Sequence, residues 1–127
     1  MENILNNKKM LGTEGEKIAA EFLKKQNYSI LFLNFRYKKL GEIDIIAREN
    51  NYLCFIEVKT RSNLDYGFPS ESIDYRKQEN IKKLAQVFIS KNRLYNEYIR
   101  FDVVEVYIKK EKEALIVEKI NLIKNAF

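Results

Sequence analysis

Two consecutive apolar segments joined at a short turn constrain the fold of this chain more than any other feature. The segments are GEIDIIAR (41–48) and NYLCFIEVKTR (51–61), and both have the composition of β-strands. Asn50 and Asn51 stand at the junction, and asparagine tolerates the positive φ that a tight hairpin turn demands. Because apolar residues occupy odd and even positions alike, we expect both faces of this hairpin to be covered.

The turn position fixes which residues of the two strands face each other. With Asn50 and Asn51 as the two turn residues, Asp44 faces Glu57, and their Cβ atoms should lie roughly 5 Å apart. Lys59 points to the same face because strand side chains alternate. Adjacent carboxylates repel each other unless a cation lies between them. This pattern therefore predicts a divalent metal site with a lysine on the same face of the hairpin. The alternative is a Glu57–Lys59 ion pair, with Asp44 on a solvated face.

The composition narrows the chemistry that is available. The chain has no histidine, which excludes Ser-His-Asp and Cys-His catalysis and histidine-ligated metals. The single cysteine, Cys54, lies in an apolar strand, so we interpret it as a buried small hydrophobe in a reducing compartment. Carboxylate oxygens are hard ligands, which favours Mg²⁺ or Mn²⁺. We find no signal-peptide pattern and no membrane span, and we predict a cytoplasmic protein.

Length and charge add two expectations. The 127 residues suffice for a single domain with its own core, which we place over 1–127. The net charge of +5 is mildly basic. It fits a polyanionic partner, and it fits a lysine-rich solvated surface equally well.

Periodicity and turn residues predict the order α-β-β-β-α-β-β. The first helix is predicted over 14–26, with Thr13 as N-cap and Glu16 completing a capping box. A strand over 28–37 precedes the hairpin, and a surface loop with Gly67 and Pro69 (61–72) follows it. The remaining elements are a helix over 72–91, strands over 100–108 and 114–123, and a charged turn over 109–113.

Two charged residues lie on helix faces that should be apolar. Glu16 falls within the apolar arc of the first helix, between Ala20 and Leu23 on the helical wheel. The capping box explains it as well as a functional site does, and the helix N-terminus favours a carboxylate in either case. Lys77 lies one turn before Ile81 and is directed toward the sheet. Its alternative role is to extend a long apolar stem over the sheet edge.

An ordered set of motifs spans nearly the whole chain and resembles the YraN-like family of bacterial proteins. The matching residues are Gly12, Gly15, Glu16, Ala19, Ala20, Asn34-Phe35-Arg36, Gly41-Glu42-Ile43-Asp44, 55–61, 67–69, Lys77-Gln78, 100–104 and 125–127. That family is similar to the PD-(D/E)xK nuclease superfamily, with archaeal Holliday-junction resolvases among its nearer relatives. The resemblance implies a restriction-endonuclease-like α/β core, a mixed sheet flanked by helices. The element order fits that core.

The resemblance also implies roles for individual residues. Asp44 and Glu57 match the two acids of the motif and Lys59 matches its lysine, while Ile43 replaces the motif's proline. Glu16 matches the helix-one glutamate of the resolvase-like branch. Four further residues are implied to contact nucleic acid, namely Arg36, Arg61, Lys77 and Gln78.

These matches imply a Mg²⁺-dependent or Mn²⁺-dependent endonuclease acting on DNA, with junction or branched DNA as the substrate class. Asp44, Glu57 and Glu16 would hold the metal, helped by the Val58 carbonyl, and Lys59 would assist the attacking water or stabilise charge on the phosphate. Two alternatives stay open. One is a nucleic-acid-binding protein that keeps the fold without turnover, and the other is an interaction protein with structural ion pairs. Resolvase-like relatives act as dimers, so a homodimer is an option, although no stripe in the sequence marks its interface.

Overall fold

A five-stranded mixed sheet with one helix on each face forms the architecture. The computed structural model describes residues 8–62 and 73–127. The elements are α1 (Lys8–Lys25), β1 (Ser29–Arg36), β2 (Glu42–Glu49), β3 (Tyr52–Ser62), α2 (Tyr75–Asn92), β4 (Tyr98–Glu111) and β5 (Ala114–Ile123). The predicted element order and α/β class are therefore confirmed. Neither α1 nor α2 is long and apolar enough to cross a membrane, and they are the helices of the described chain.

The strands lie in the sheet in chain order, β1-β2-β3-β4-β5. β3 and β4 are parallel, and the other three neighbouring pairs are antiparallel. A parallel pair needs a crossover connection, and α2 lies in it. This arrangement puts β3 in the middle of the sheet, where its side chains meet a helix layer on each face.

The predicted register of the β2–β3 hairpin is confirmed. Glu49 pairs with Tyr52 and Ile46 pairs with Phe55, as a turn at Asn50 and Asn51 requires. Asn50 adopts a φ of 53°. The pairing runs as far as Ile45 with Ile56, one residue short of Asp44 and Glu57.

The core has two halves, one on each face of the sheet. On one face, Ala19 and Leu23 of α1 pack with sheet residues that include Ile45, Cys54, Ile56 and Val104. On the other face, Ile81, Leu84 and Phe88 of α2 pack with sheet residues that include Ile43, Leu53 and Phe55. Cys54 is fully buried and burial raises the pKa of its thiol to about 12, so its interpretation as a buried hydrophobe is confirmed.

Several predicted boundaries were wrong or lie beyond the described residues. α1 begins at Lys8 rather than Glu14, so Thr13 is inside the helix. Its hydroxyl donates to the Lys9 carbonyl at 3.0 Å, and the predicted capping box does not form. β4 extends beyond the predicted 100–108 at both ends.

The second helix begins at Tyr75 instead of residue 72. Its N-cap is Asp74, whose side chain accepts a hydrogen bond from the Lys77 amide at 2.8 Å. Arg61 and Ser62 belong to β3 rather than to the predicted loop. Ser72, Gly67 and Pro69 fall outside the described residues.

Candidate metal centre

Three carboxylates converge where α1, β2 and the end of β1 meet. Glu16, Glu42 and Asp44 each offer an oxygen, and these oxygens lie within 4.8 Å of one another. Asp44 is buried, while Glu16 and Glu42 are partly exposed. We call these three residues the acid cluster. One carboxylate comes from a helix and two come from a strand, so the tertiary fold creates the cluster.

Two glycines position the acid cluster. Gly41 has a φ of 98°, which an L side chain rarely adopts, and it ends the turn that leads into β2. Gly15 lies against Thr60 of β3 so closely that an added Cβ would come within 2.9 Å of the Thr60 Cβ. Only glycine allows α1 this close to the sheet, and the contact brings the neighbouring Glu16 to the cluster.

Asp44 lies where β2 and β3 cease to pair. Its Oδ2 accepts a hydrogen bond from the Val58 amide at 2.8 Å, so the side chain takes the place of a strand carbonyl. Burial raises the pKa of Asp44 to about 8, and the negative charges of Glu57, Glu16 and Glu42 add to the rise. A cation at the cluster would relieve this accumulation of negative charge.

Glu57 lies across from the acid cluster and contacts the other helix. Its carboxylate is 3% exposed, and Oε2 forms an ion pair with Lys77 Nζ of α2 at 2.9 Å. The other oxygen, Oε1, is buried and accepts no hydrogen bond from the described residues. Burial raises the pKa of Glu57, whereas Lys77 and Lys59 lower it. Lys77 is thus directed toward the sheet, as its position on the helix face predicted.

Two residues of β1 contact the acid cluster, Asn34 through hydrogen bonds and Arg36 through an ion pair. The Asn34 amide donates to Glu16 Oε2 at 3.2 Å and to Glu42 Oε1 at 3.4 Å. Arg36 Nη2 lies 2.7 Å from Glu42 Oε2 and is mostly exposed. Asn34 has a φ of 55°, an unusual conformation within a strand. These contacts orient the two partly exposed carboxylates of the cluster.

The other predicted site residues lie on β3 and α2. Lys59 and Arg61 follow Glu57 on β3 and are partly buried. The Gln78 amide donates to the Ile73 carbonyl at 2.9 Å, which anchors the start of α2. The structure thus brings Glu16 and Asp44 together, and it places Glu57 beside Lys77.

Glu42 and Asn34 lie in the family motifs, but neither residue was assigned to the site from the sequence. Glu42 precedes Asp44 by two residues on the same strand, so side-chain alternation puts both on one face. That spacing was enough to predict Glu42 as a neighbour of Asp44. For Asn34 the motif 34–36 was the available signal, but its approach to Glu16 and Glu42 depends on the pairing of β1 with β2 and could not be read from the spacing.

The donor set fits a hard divalent cation. All three groups of the acid cluster are carboxylates, and ligands on opposite sides of Mg²⁺ lie about 4.2 Å apart. The oxygens of the cluster all lie within 4.8 Å of one another, so small side-chain rotations would bring them within reach of one ion. The buried Oε1 of Glu57 is a further oxygen without a hydrogen-bond donor in the described part of the chain. The residues present therefore suit Mg²⁺ or Mn²⁺.

Comparison with known proteins identifies relatives over almost the full length. Residues 15–106 match the model of the uncharacterised protein family UPF0102. The chain is similar to the UPF0102 protein of Acetivibrio thermocellus, with 57% identity over 96% of this chain and 94% of the relative. A Caldicellulosiruptor saccharolyticus UPF0102 protein is 53% identical over 95% of this chain and 99% of its own length. One from Clostridium botulinum is 51% identical over 94% of each.

Proposed function

The chain belongs to the UPF0102 family, and for this chain we propose metal-dependent hydrolysis of phosphodiester bonds in DNA. Junction or branched DNA is the proposed substrate class. The observation that carries this proposal is the convergence of Glu16, Glu42 and Asp44 within 4.8 Å of one another. A buried glutamate and a lysine of the adjacent strand, Glu57 and Lys59, lie beside it.

In the proposed division of roles, the carboxylates hold the metal. Asp44, Glu16 and Glu42 hold Mg²⁺ or Mn²⁺, and Glu57 supplies a further carboxylate. The bound metal would polarise the scissile phosphate and lower the pKa of the attacking water. The Val58 amide donates a hydrogen bond to Asp44 Oδ2 at 2.8 Å, which orients this carboxylate.

Lys59 and the arginines would act on the substrate phosphate. Lys59 assists deprotonation of the attacking water or stabilises the negative charge that develops on the phosphate. Arg36 and Arg61 flank the site on β1 and β3 and contact the DNA backbone. Backbone contacts of this kind make binding dependent on salt and largely independent of sequence.

The test is cleavage of plasmid, single-stranded and four-way-junction DNA in Mg²⁺ or Mn²⁺. Asp44→Asn is the matched variant, because asparagine keeps an oxygen for the Val58 amide while it removes the charge. We expect the wild-type chain to cut at least one substrate. Asp44→Asn should cut it about 100-fold more slowly or worse, which is the loss of rate that follows when one electrostatic contact to a transition state is removed. Equal activity of both proteins would place the cleavage elsewhere or in a contaminant.

The Glu57–Lys77 ion pair favours a second candidate, a nucleic-acid-binding protein without turnover. In this state Glu57 is neutralised by a lysine and lies outside the group of three converging carboxylates. Calorimetric titration of Mn²⁺ into wild-type and Glu57→Ala protein separates the candidates. An enzyme binds the metal and binds it more weakly in the variant, whereas a pure binding module has no need of a metal.

A further inference from the structure

A cleft of about 390 Å³ lies between the β1–β2 turn and the first half of α2. Lys39 lines it from the turn and Glu42 from the start of β2, and Asp74, Arg76 and Asn80 line it from the beginning of α2. Ile81, which is buried, contributes apolar surface. The cleft therefore combines an apolar surface with cations, a neutral amide and two carboxylates. Asp74 accepts a hydrogen bond from the Lys77 amide and Glu42 forms an ion pair with Arg36, so both carboxylates have partners of their own.

The cleft adjoins the acid cluster. Glu42 belongs to both, since it lines the cleft and is one of the three converging carboxylates. Lys77 also lines the cleft, and its ammonium group forms an ion pair with Glu57. A ligand group in the cleft would thus lie next to the acid cluster.

The basic residues near the site differ in whether an acidic side chain forms an ion pair with them. Lys77 is engaged by Glu57 and Arg36 by Glu42. Lys39 and Arg76 are exposed, and neither forms an ion pair with any residue of 8–62 or 73–127. Both charges are available to an anion, and Asn80 adds a neutral amide donor.

We propose that this cleft binds a phosphate of the DNA backbone that flanks the scissile phosphate, with Lys39 and Arg76 as its cationic contacts. The proposal rests on the proposed function, because it assigns the cleft to the substrate of the same site. Asn80 donates a hydrogen bond to the phosphate or the sugar. An arginine offers two parallel donors to a phosphate, which makes Arg76 the stronger of the two cationic contacts.

The test is DNA binding by Lys39→Ala, Arg76→Ala and the double variant. Fluorescence anisotropy with a labelled duplex is measured in the Asp44→Asn background, which keeps the DNA intact. Each lost phosphate contact reduces the slope of log K against log salt by about 0.9, which corresponds to about eightfold weaker binding near 0.1 M salt. Lys25→Ala is the matched control, since Lys25 is an exposed lysine in the last turn of α1.

The expected result is a reduced slope for each cleft variant and an unchanged slope for Lys25→Ala. Equal effects of the cleft variants and the control would overturn the proposal, as would a wild-type chain that binds no DNA. Cleavage by otherwise wild-type chains gives the independent readout. Cleft variants should raise KM more than they lower kcat. If Asp44→Asn cuts as well as the wild type while the cleft variants still bind DNA weakly, the proposed function fails and the phosphate site stands.

Discussion

Removal of the Lys77 charge tests how the protein tolerates a buried glutamate at the proposed site. Lys77→Met keeps the length and the helix propensity of the side chain but removes the partner of Glu57. The Glu57 carboxylate is 3% exposed and its Oε1 already accepts no hydrogen bond from the described residues. The variant therefore leaves a buried carboxylate without the ion pair that Lys77 supplies.

The expected loss of stability follows from the burial of the pair. Breaking a fully buried ion pair costs about 3–5 kcal/mol. Lys77 is 45% exposed, so solvent screening reduces this, and we expect about 2 kcal/mol at pH 8. For a chain of this size, that lowers the melting temperature by roughly 6–10 °C.

The pH dependence separates a lost charge from lost packing. Burial raises the pKa of Glu57 and Lys77 holds it down, so the variant has a still higher Glu57 pKa. A carboxyl whose folded pKa lies above its unfolded value destabilises the protein increasingly as pH rises above the unfolded value. The cost of Lys77→Met should therefore be small near pH 5 and large at pH 8.

Urea unfolding of the wild type, Lys77→Met and Lys83→Met in EDTA provides the measurement. Lys83→Met is the matched control, because it makes the same change at an exposed position of the same helix. Adding Glu57→Gln to Lys77→Met should remove the pH dependence. A cost that is the same at pH 5 and pH 8 would refute the electrostatic reasoning and assign the effect to the lysine stem.

Three further variants test other parts of the structure. Gly15→Ala places a methyl group against Thr60 and should displace α1. Thermal unfolding should therefore show a lower melting temperature and a smaller increase of that temperature when Mn²⁺ is added. Arg100→Met leaves buried Asp102 without its cation and should cost about 3–5 kcal/mol in urea unfolding. Asp44→Asn should stabilise the metal-free protein, and the gain should grow between pH 4 and pH 8, since the folded pKa of Asp44 is raised to about 8. A gain that is independent of pH would contradict the raised pKa.

The sequence predicted the sheet better than the site. The hairpin register followed from two asparagines and the length of the turn, which are local features. The start of α1 did not follow, because Gly12, Thr13 and Gly15 resemble a helix boundary in sequence. In the structure, Gly15 is required by the close approach to Thr60, and only the packed fold makes that contact visible.

The acid cluster was predicted in part. The sequence indicated Asp44 by side-chain alternation and Glu16 by its charge on the apolar face of α1, and both belong to the cluster. Glu42, the third member, was not assigned to the site. The partners of the buried charges were harder to predict, because they come from distant parts of the chain. Arg100 donates hydrogen bonds to the Tyr28 hydroxyl, Glu49 and Asp102. Alternation along β4 relates Arg100 to Asp102, but no local pattern relates either residue to Tyr28 or Glu49.

Diffraction from crystals grown with Mn²⁺ tests the central claim most directly. The anomalous scattering of manganese locates the ion independently of the protein density. We predict one strong peak within about 2.5 Å of carboxylate oxygens of Glu16, Glu42 and Asp44, and no such peak in Asp44→Asn crystals. A wild-type structure with no peak between these three carboxylates, at millimolar Mn²⁺, would contradict a metal centre at this site.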